Sequence, residues 1–250
     1  MGREFESTDQ VELDASPEEI WRAIATGPGI DSWFMGRNEV DAAHGAVRQS
    51  FGDFQPEYRI AGWEPMWRLA YGTDEAPDGR FVAYEFLIEG RDRSSTVLRM
   101  ATSGFLPGDD WSDEYDAMRA GNAMFFATLA TYLTHFAGRT GRPLTVFGPP
   151  VTDWPATWRA LASALGLAGP PMVGDRVSFA LEGLPPARGE VYFVNSQTVG
   201  VRTADGLYRF LKGFRGPLIA CHSVLTPGFT ETDRDAAESA WRSWLTTTSF

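Results

Sequence analysis

From Met118 to Phe136 the chain places Met118, Asn122, Phe125, Leu129, Tyr132 or Leu133, and Phe136 at spacings of three and four, the period of an amphipathic helix. Gly138 follows as a closing residue, and Asp109, Asp110, Asp113, Glu114 and Asp116 precede it. That acidic run reads as a solvated helix start favoured by the helix dipole rather than as a metal site. A helix this long with one apolar stripe must lie on an equally long apolar surface. The residues before it have to supply that surface.

They do so as strands. Between Val40 and Phe105, strand signals separated by turns cover 46–51, 58–64, 67–73, 80–89 and 95–105. In the fourth, Phe81, Ala83, Glu85 and Leu87 oppose Val82, Tyr84, Phe86 and Ile88, so both faces are largely apolar and the strand belongs inside a sheet. Asp78-Gly79 and Glu89-Gly90 supply turn chemistry. Upstream, Phe5 to Leu13 reads as a first strand. Ser16-Pro17-Glu18-Glu19 then forms a capping box with proline at the first helical position, and Ile20, Trp21 and Ile24 give that helix its apolar face. It is expected to stop at Gly27-Pro28-Gly29, with a short helical turn from Ile30 to Phe34.

After Gly141-Arg142-Pro143, read as a linker, the pattern partly repeats. Trp158-Arg159-Ala160 echoes Trp21-Arg22-Ala23 behind a capping residue, Asp153, near Pro155. Strands are expected at 176–179, 189–195, 198–203, 206–211 and 217–225, and a capped helix from Thr230 or Thr232 carries Ala237, Trp241, Trp244 and Leu245. The shared order of helix, strands and helix marks a degenerate internal repeat. A first strand and a Trp-Phe pair after the first helix are not evident in this second copy.

A net charge of −11 disfavours nucleic acid or an anionic membrane surface as partner, since both call for a basic face. Lys212 is the single lysine, so nearly all positive charge is arginine. Cys221 is the single cysteine, which excludes an intramolecular disulfide and a cysteine-based zinc cluster. The N-terminal residues lack the apolar run of a signal peptide, and no stretch reaches the ~20 apolar residues of a membrane span, so a cytoplasmic protein is expected.

The ordered set Ala15-Ser16-Pro17-Glu18-Glu19-Ile20-Trp21, Trp33-Phe34, Gly62-Trp63-Glu64-Pro65 and Gly121-Asn122-Ala123-Met124-Phe125-Phe126 with Leu129 and Tyr132-Leu133 resembles the SRPBCC (START-like) superfamily. The nearest branch is the one named for homologues of the activator of Hsp-90 ATPase. The resemblance runs from Phe5 to about Arg139. It implies an α+β helix-grip fold, a curved antiparallel sheet wrapped around a long C-terminal helix, for residues 1–139. Residues 140–250 then form a smaller α+β domain, a truncated second copy.

The resemblance also implies a cavity between sheet and helix. Its candidate lining is Trp33, Phe34, Phe51, Tyr58, Trp63, Trp67, Tyr84, Phe86, Leu98, Met100, Met118, Asn122, Phe125, Phe126 and Leu129. Asn122 stands out, because an amide on an apolar stripe needs a partner, either a ligand group or a strand atom. His44, His135 and His222 form no recognisable catalytic or metal-ligand spacing, no Gly-rich phosphate loop is present, and no cofactor is expected. Asp31, Asp53, Glu64 and Glu85 are the carboxylates that would serve as acid or base if one pointed inward. Three functions are compatible with these residues. The first is binding of a small hydrophobic molecule without catalysis. The others are cyclase or aromatase chemistry on a polyketide-like substrate, and a co-chaperone or stress-type interaction protein with a protein partner. The oligomeric state is left open.

Overall fold

The computed structural model describes residues 2–52, 54–90, 95–108, 111–213 and 216–248. Among the described residues, two antiparallel sheets and five helices make up an α+β fold. The first half runs β1 (Arg3–Leu13), α1 (Pro17–Ala25), α2 (Gly27–Asp31), β2 (Arg37–Asp41), β3 (Ala46–Ser50), β4 (Glu57–Glu64), β5 (Arg68–Gly72), β6 (Phe81–Gly90), β7 (Thr96–Leu106) and α3 (Trp111–Phe136). Its seven strands lie in the order β1-β7-β6-β5-β4-β3-β2, so the first strand returns to pair with the last. This is the helix-grip arrangement, with α3 laid across the concave face. A register shift between Ile60 and Gly62 in β4 adds local bend to the sheet.

The second half repeats that connectivity with fewer parts: β8 (Arg142–Pro150), α4 (Trp154–Ala164), β9 (Arg176–Phe179), β10 (Ala187–Val194), β11 (Thr198–Thr203), β12 (Gly206–Lys212), β13 (Pro217–Val224) and α5 (Glu231–Thr247). Its order, β8-β13-β12-β11-β10-β9, again brings first and last strands together.

Local chemistry accounts for the helix starts. The Ser16 hydroxyl accepts from the Glu19 amide at 3.2 Å while the Ser16 amide donates to the Glu19 carboxylate at 2.9 Å. Thr230 and Asp233 make the same reciprocal pair at the head of α5. Asp153 caps α4 through the Ala156 amide. Gly138, at φ +83°, takes the left-handed conformation just beyond α3 that glycine adopts without strain.

Three expectations need correction. Gly27-Pro28-Gly29 does not separate two helices, because Thr26 caps α2 and Pro28 sits in its first turn, so this helix begins earlier. β2 is a strand that the pattern did not reveal: with the sequence RNEVD it has one apolar residue, as a sheet edge permits. The second half does have a first strand. β8 carries Pro143, Pro149 and Pro150 and so resembles a linker, but it lies at the edge of its sheet, where missing amide donors cost little.

The helix α3 is buried on more than the side its stripe suggests. Toward the first sheet it presents Phe125, Phe126, Leu129, Tyr132 and Leu133, in one core with Leu69, Tyr71, Phe86, Leu98 and Met100. The same core takes in Leu207, Leu211, Ile219, Cys221 and Leu225 of the second half. Tyr192 on β10 meets the Thr128 hydroxyl at 2.6 Å, and Asn195 donates to the Ala120 carbonyl at 3.0 Å. Gly200 makes the first of these contacts possible, since a Cβ there would stand 2.6 Å from the Tyr192 ring. The opposite face of the second sheet packs on α5 through Val146, Val191, Phe210, Ala220 and Trp241. Strands β12 and β13 alternate between these two cores residue by residue, so both of their faces are buried.

Candidate functional site

The concave face of the first sheet is built by strand alternation. On β6 the inward residues are Tyr84, Phe86 and Ile88, and on β5 they are Leu69 and Tyr71. The register sets Tyr84 opposite Tyr71 on one side and opposite Thr102 of β7 on the other. Tyr58 of β4 closes the row, pairing with Val47 of β3. The three tyrosine rings form one cluster, with centroids 5.6 Å apart for Tyr58–Tyr71, 5.6 Å for Tyr71–Tyr84 and 6.1 Å for Tyr58–Tyr84. Gln49, two residues beyond Val47, shares that face and is buried. Across from them, Asn122 of α3 donates to the Thr102 hydroxyl at a long 3.4 Å.

None of the three tyrosine hydroxyls has a hydrogen-bond partner among the described residues, nor does the side-chain amide of Gln49, whose backbone N–H donates to the Pro56 carbonyl. Yet the sealed polar atoms that lack a partner are only Asn38 Oδ1 and His222 Nε2 among the described residues. The tyrosine hydroxyls and the Gln49 side-chain amide are therefore unpartnered among the described residues without being completely sealed. Burial pushes all three phenols above their ordinary pKa, Tyr84 to about 12, so they remain protonated at neutral pH and act as donors. The face thus combines aromatic surface with neutral polar groups, and toward β1 it also carries the Asp9 carboxyl, whose pKa burial raises.

The expected lining residues divide into groups. Phe34, Phe51, Tyr84, Met118 and Asn122 keep partial exposure, while Trp33, Tyr58, Phe86, Leu98, Met100, Phe125, Phe126 and Leu129 are core. Phe34 packs at a tilt against Phe125 with centroids 4.3 Å apart, and the Trp33 indole donates to the Ala23 carbonyl at 2.9 Å. Trp63 packs edge-on against Trp21 of α1 at 5.0 Å. Trp67 is 55% exposed, in the turn between β4 and β5 that holds Met66 at φ +64°, and does not reach the concave face. Tyr71, Thr102 and Gln49 escaped the sequence reading, although the alternation Leu69-Tyr71 and Val47-Gln49-Phe51 carried the signal.

Of the carboxylates, Glu64 and Glu85 both pair with Arg68, at 3.4 and 2.6 Å. Asp31 lies in α2, where its carboxylate accepts from the Asn38 amide and side chain at 2.8 and 2.9 Å; burial holds its pKa above the usual carboxylate value. Asp53, Asp109 and Asp110 fall outside the described residues. His44 pairs with Asp41 in an exposed turn, and His135 is exposed. Among the described residues no group of three or more His, Cys, Asp or Glu side chains is placed to hold a metal ion. Among the described residues no helix is long and apolar enough to cross a membrane.

Several solved structures are similar to this chain. The di-domain ARO/CYC BexL from the BE-7585A biosynthetic pathway is 10% identical, with a TM-score of 0.46 and coverage of 95% of this chain and 93% of that one. DynU16, a putative protein in the dynemicin biosynthetic locus, is 19% identical, with a TM-score of 0.42 and coverage of 94% and 95%. The Aha1 dimer from Colwellia psychrerythraea is 19% identical, with a TM-score of 0.42, and covers 52% of this chain and 96% of its own. No family model and no curated protein matches the chain.

Proposed function

We propose that the chain binds a small, uncharged aromatic molecule bearing carbonyl or hydroxyl oxygens, on the concave face between the first sheet and α3. The division into a binding domain, 1–139, and a second domain, 140–250, belongs to this proposal. The observation that carries it is the row of phenols at Tyr58, Tyr71 and Tyr84, donors without an acceptor among the described residues, inside an aromatic surround. A donor in such a place favours an oxygen acceptor that brings its own apolar body. Gln49 and Asn122 supply amides able to meet either polarity.

The same phenols support a second reading, cyclase or aromatase chemistry, because protonated donors aimed at a carbonyl stabilise a developing oxyanion. That chemistry also needs a base; Asp9 of β1, a carboxylate that the register places on this face with its pKa raised by burial, stands opposite Met100 and outside the tyrosine row. Binding is therefore the reading the geometry supports better.

The test uses Prodan, a neutral naphthyl ketone whose fluorescence shifts to the blue in apolar surroundings. The wild-type chain is expected to bind it. Tyr84→Phe and Tyr71→Phe are expected to weaken binding about fivefold each, the worth of roughly 1 kcal/mol per lost hydrogen bond. Absence of Prodan binding, or equal affinity in a Tyr58→Phe, Tyr71→Phe, Tyr84→Phe triple variant, would falsify the proposal.

A further inference from the structure

We infer that Arg209, on β12 of the second sheet, is the positioning residue for the aromatic wall of the concave site, so that affinity in the first half is set from the second. This rests on the reading of that face as a binding site.

Arg209 is fully buried, between Leu207 and Leu211 on the strand face turned toward the first half. Its guanidinium has no carboxylate partner among the described residues. Its Nη1 donates to the Trp33 carbonyl. Nη2 donates to the Ser223 hydroxyl at 2.9 Å and reaches the Phe34 carbonyl at 3.4 Å, and Nε donates to the Cys221 carbonyl at 2.7 Å. Ser223 in turn donates to the Asp31 carbonyl at 3.2 Å. Three carbonyls of the segment 31–34 are thus gripped from the other sheet.

The grip extends to side chains. The guanidinium carbon lies 5.6 Å over the Phe125 ring, which packs at a tilt against Phe34. Trp33 is pinned separately through its indole, and Phe34, packed against the core at Phe125, is the aromatic residue of the segment that keeps partial exposure. A guanidinium suits this task, because its donors lie in one rigid plane and can hold two successive carbonyls in a fixed relation while its face stacks on a ring. An apolar residue of similar volume would fill the space without the burial cost of a charge, and would leave the 31–34 carbonyls unheld. What Arg209 adds is geometry at Phe34 and Phe125.

The experiment compares the full-length wild type with Arg209→Met, Arg209→Lys and Ser223→Ala, reading Prodan affinity and hydrogen exchange peptide by peptide. Arg209→Met is expected to speed exchange selectively in peptides spanning 30–36 and to weaken Prodan binding about tenfold, within the usual range of coupling between linked sites. Arg209→Lys, which keeps the charge and loses the fork, is expected to recover little of the affinity. Ser223→Ala should show the same pattern in milder form, and these two decide the matter if Arg209→Met does not fold. Unchanged exchange at 30–36 in a folded variant overturns the positioning role, as does a uniform rise across the whole chain. If the wild type binds no Prodan, the binding proposal fails on its own, and the role of Arg209 is then judged by exchange alone.

Discussion

His222 is a neutral imidazole by construction. It is sealed between Tyr208, Phe210 and Trp241, the last only 4.2 Å away centroid to centroid. Its Nδ1 accepts the Arg209 backbone amide at 3.1 Å, which assigns the proton to Nε2, where no acceptor waits. Burial first, and the Arg209 charge second, hold its pKa well below the ordinary 6.5. The unfolded chain therefore takes up this proton before the folded one does. Stability is fully present above pH 6.5 and is lost as pH falls below it, with a slope approaching about 1.4 kcal/mol per pH unit. Asp31 acts in the opposite sense lower down: its raised pKa costs stability as pH climbs past the usual carboxylate value. In urea melts at several pH values, His222→Leu is expected to lose the slope that begins near pH 6.5, while giving up about 1 kcal/mol at neutral pH through the lost acceptor. A slope identical to that of the wild type would reject this account.

At the scale of elements, punctuation matters more than propensity. Ser16→Ala and Thr230→Ala each remove one half of a reciprocal cap and are expected to cost about 1 kcal/mol in denaturant melts, within a range of roughly 0.5–2. The result to watch is additivity, since the two caps belong to helices in different halves; marked non-additivity would mean that α1 and α5 are coupled. These caps were readable because capping chemistry is local. So were the strands of both sheets' interiors, whose residues alternate or are apolar throughout. β2 and β8 were not, because edge strands tolerate the charges and prolines that otherwise signal loops. The second buried side of α3, with Met124 and Thr128, was also hidden, as its partner lies more than sixty residues further on in the chain. Part of the proposed site could be read in the same way: Tyr58, Tyr84 and Asn122 fell on periodic positions. Trp67 did not belong, because a turn tryptophan beside a strand looks the same in sequence as a strand tryptophan. Tyr71, Gln49 and Thr102 acquire meaning only when the register brings them into one row.

On the scale of the molecule, the first-half core includes Cys221, Leu207 and Ile219, so the two sheets cannot part without exposing it. Burial pushes the Cys221 thiol up to about 11 and keeps reagents away. Labelling of Cys221 by a disulfide reagent is expected to proceed only at the rate of global unfolding, in step with a single calorimetric transition. Fast labelling of a protein that is otherwise folded, or two resolved transitions, would show that the sheets separate independently.

The shared helix also has a consequence in time. A ribosome delivers α3 complete before any strand of the second sheet exists, so for some seconds, at about 5–20 residues per second, the Met124 and Thr128 side of the helix has nothing to rest on. The newborn first half is then a sticky object waiting for its cover. A slow translation stretch after Arg139 would prolong that wait, and a fast one would shorten it.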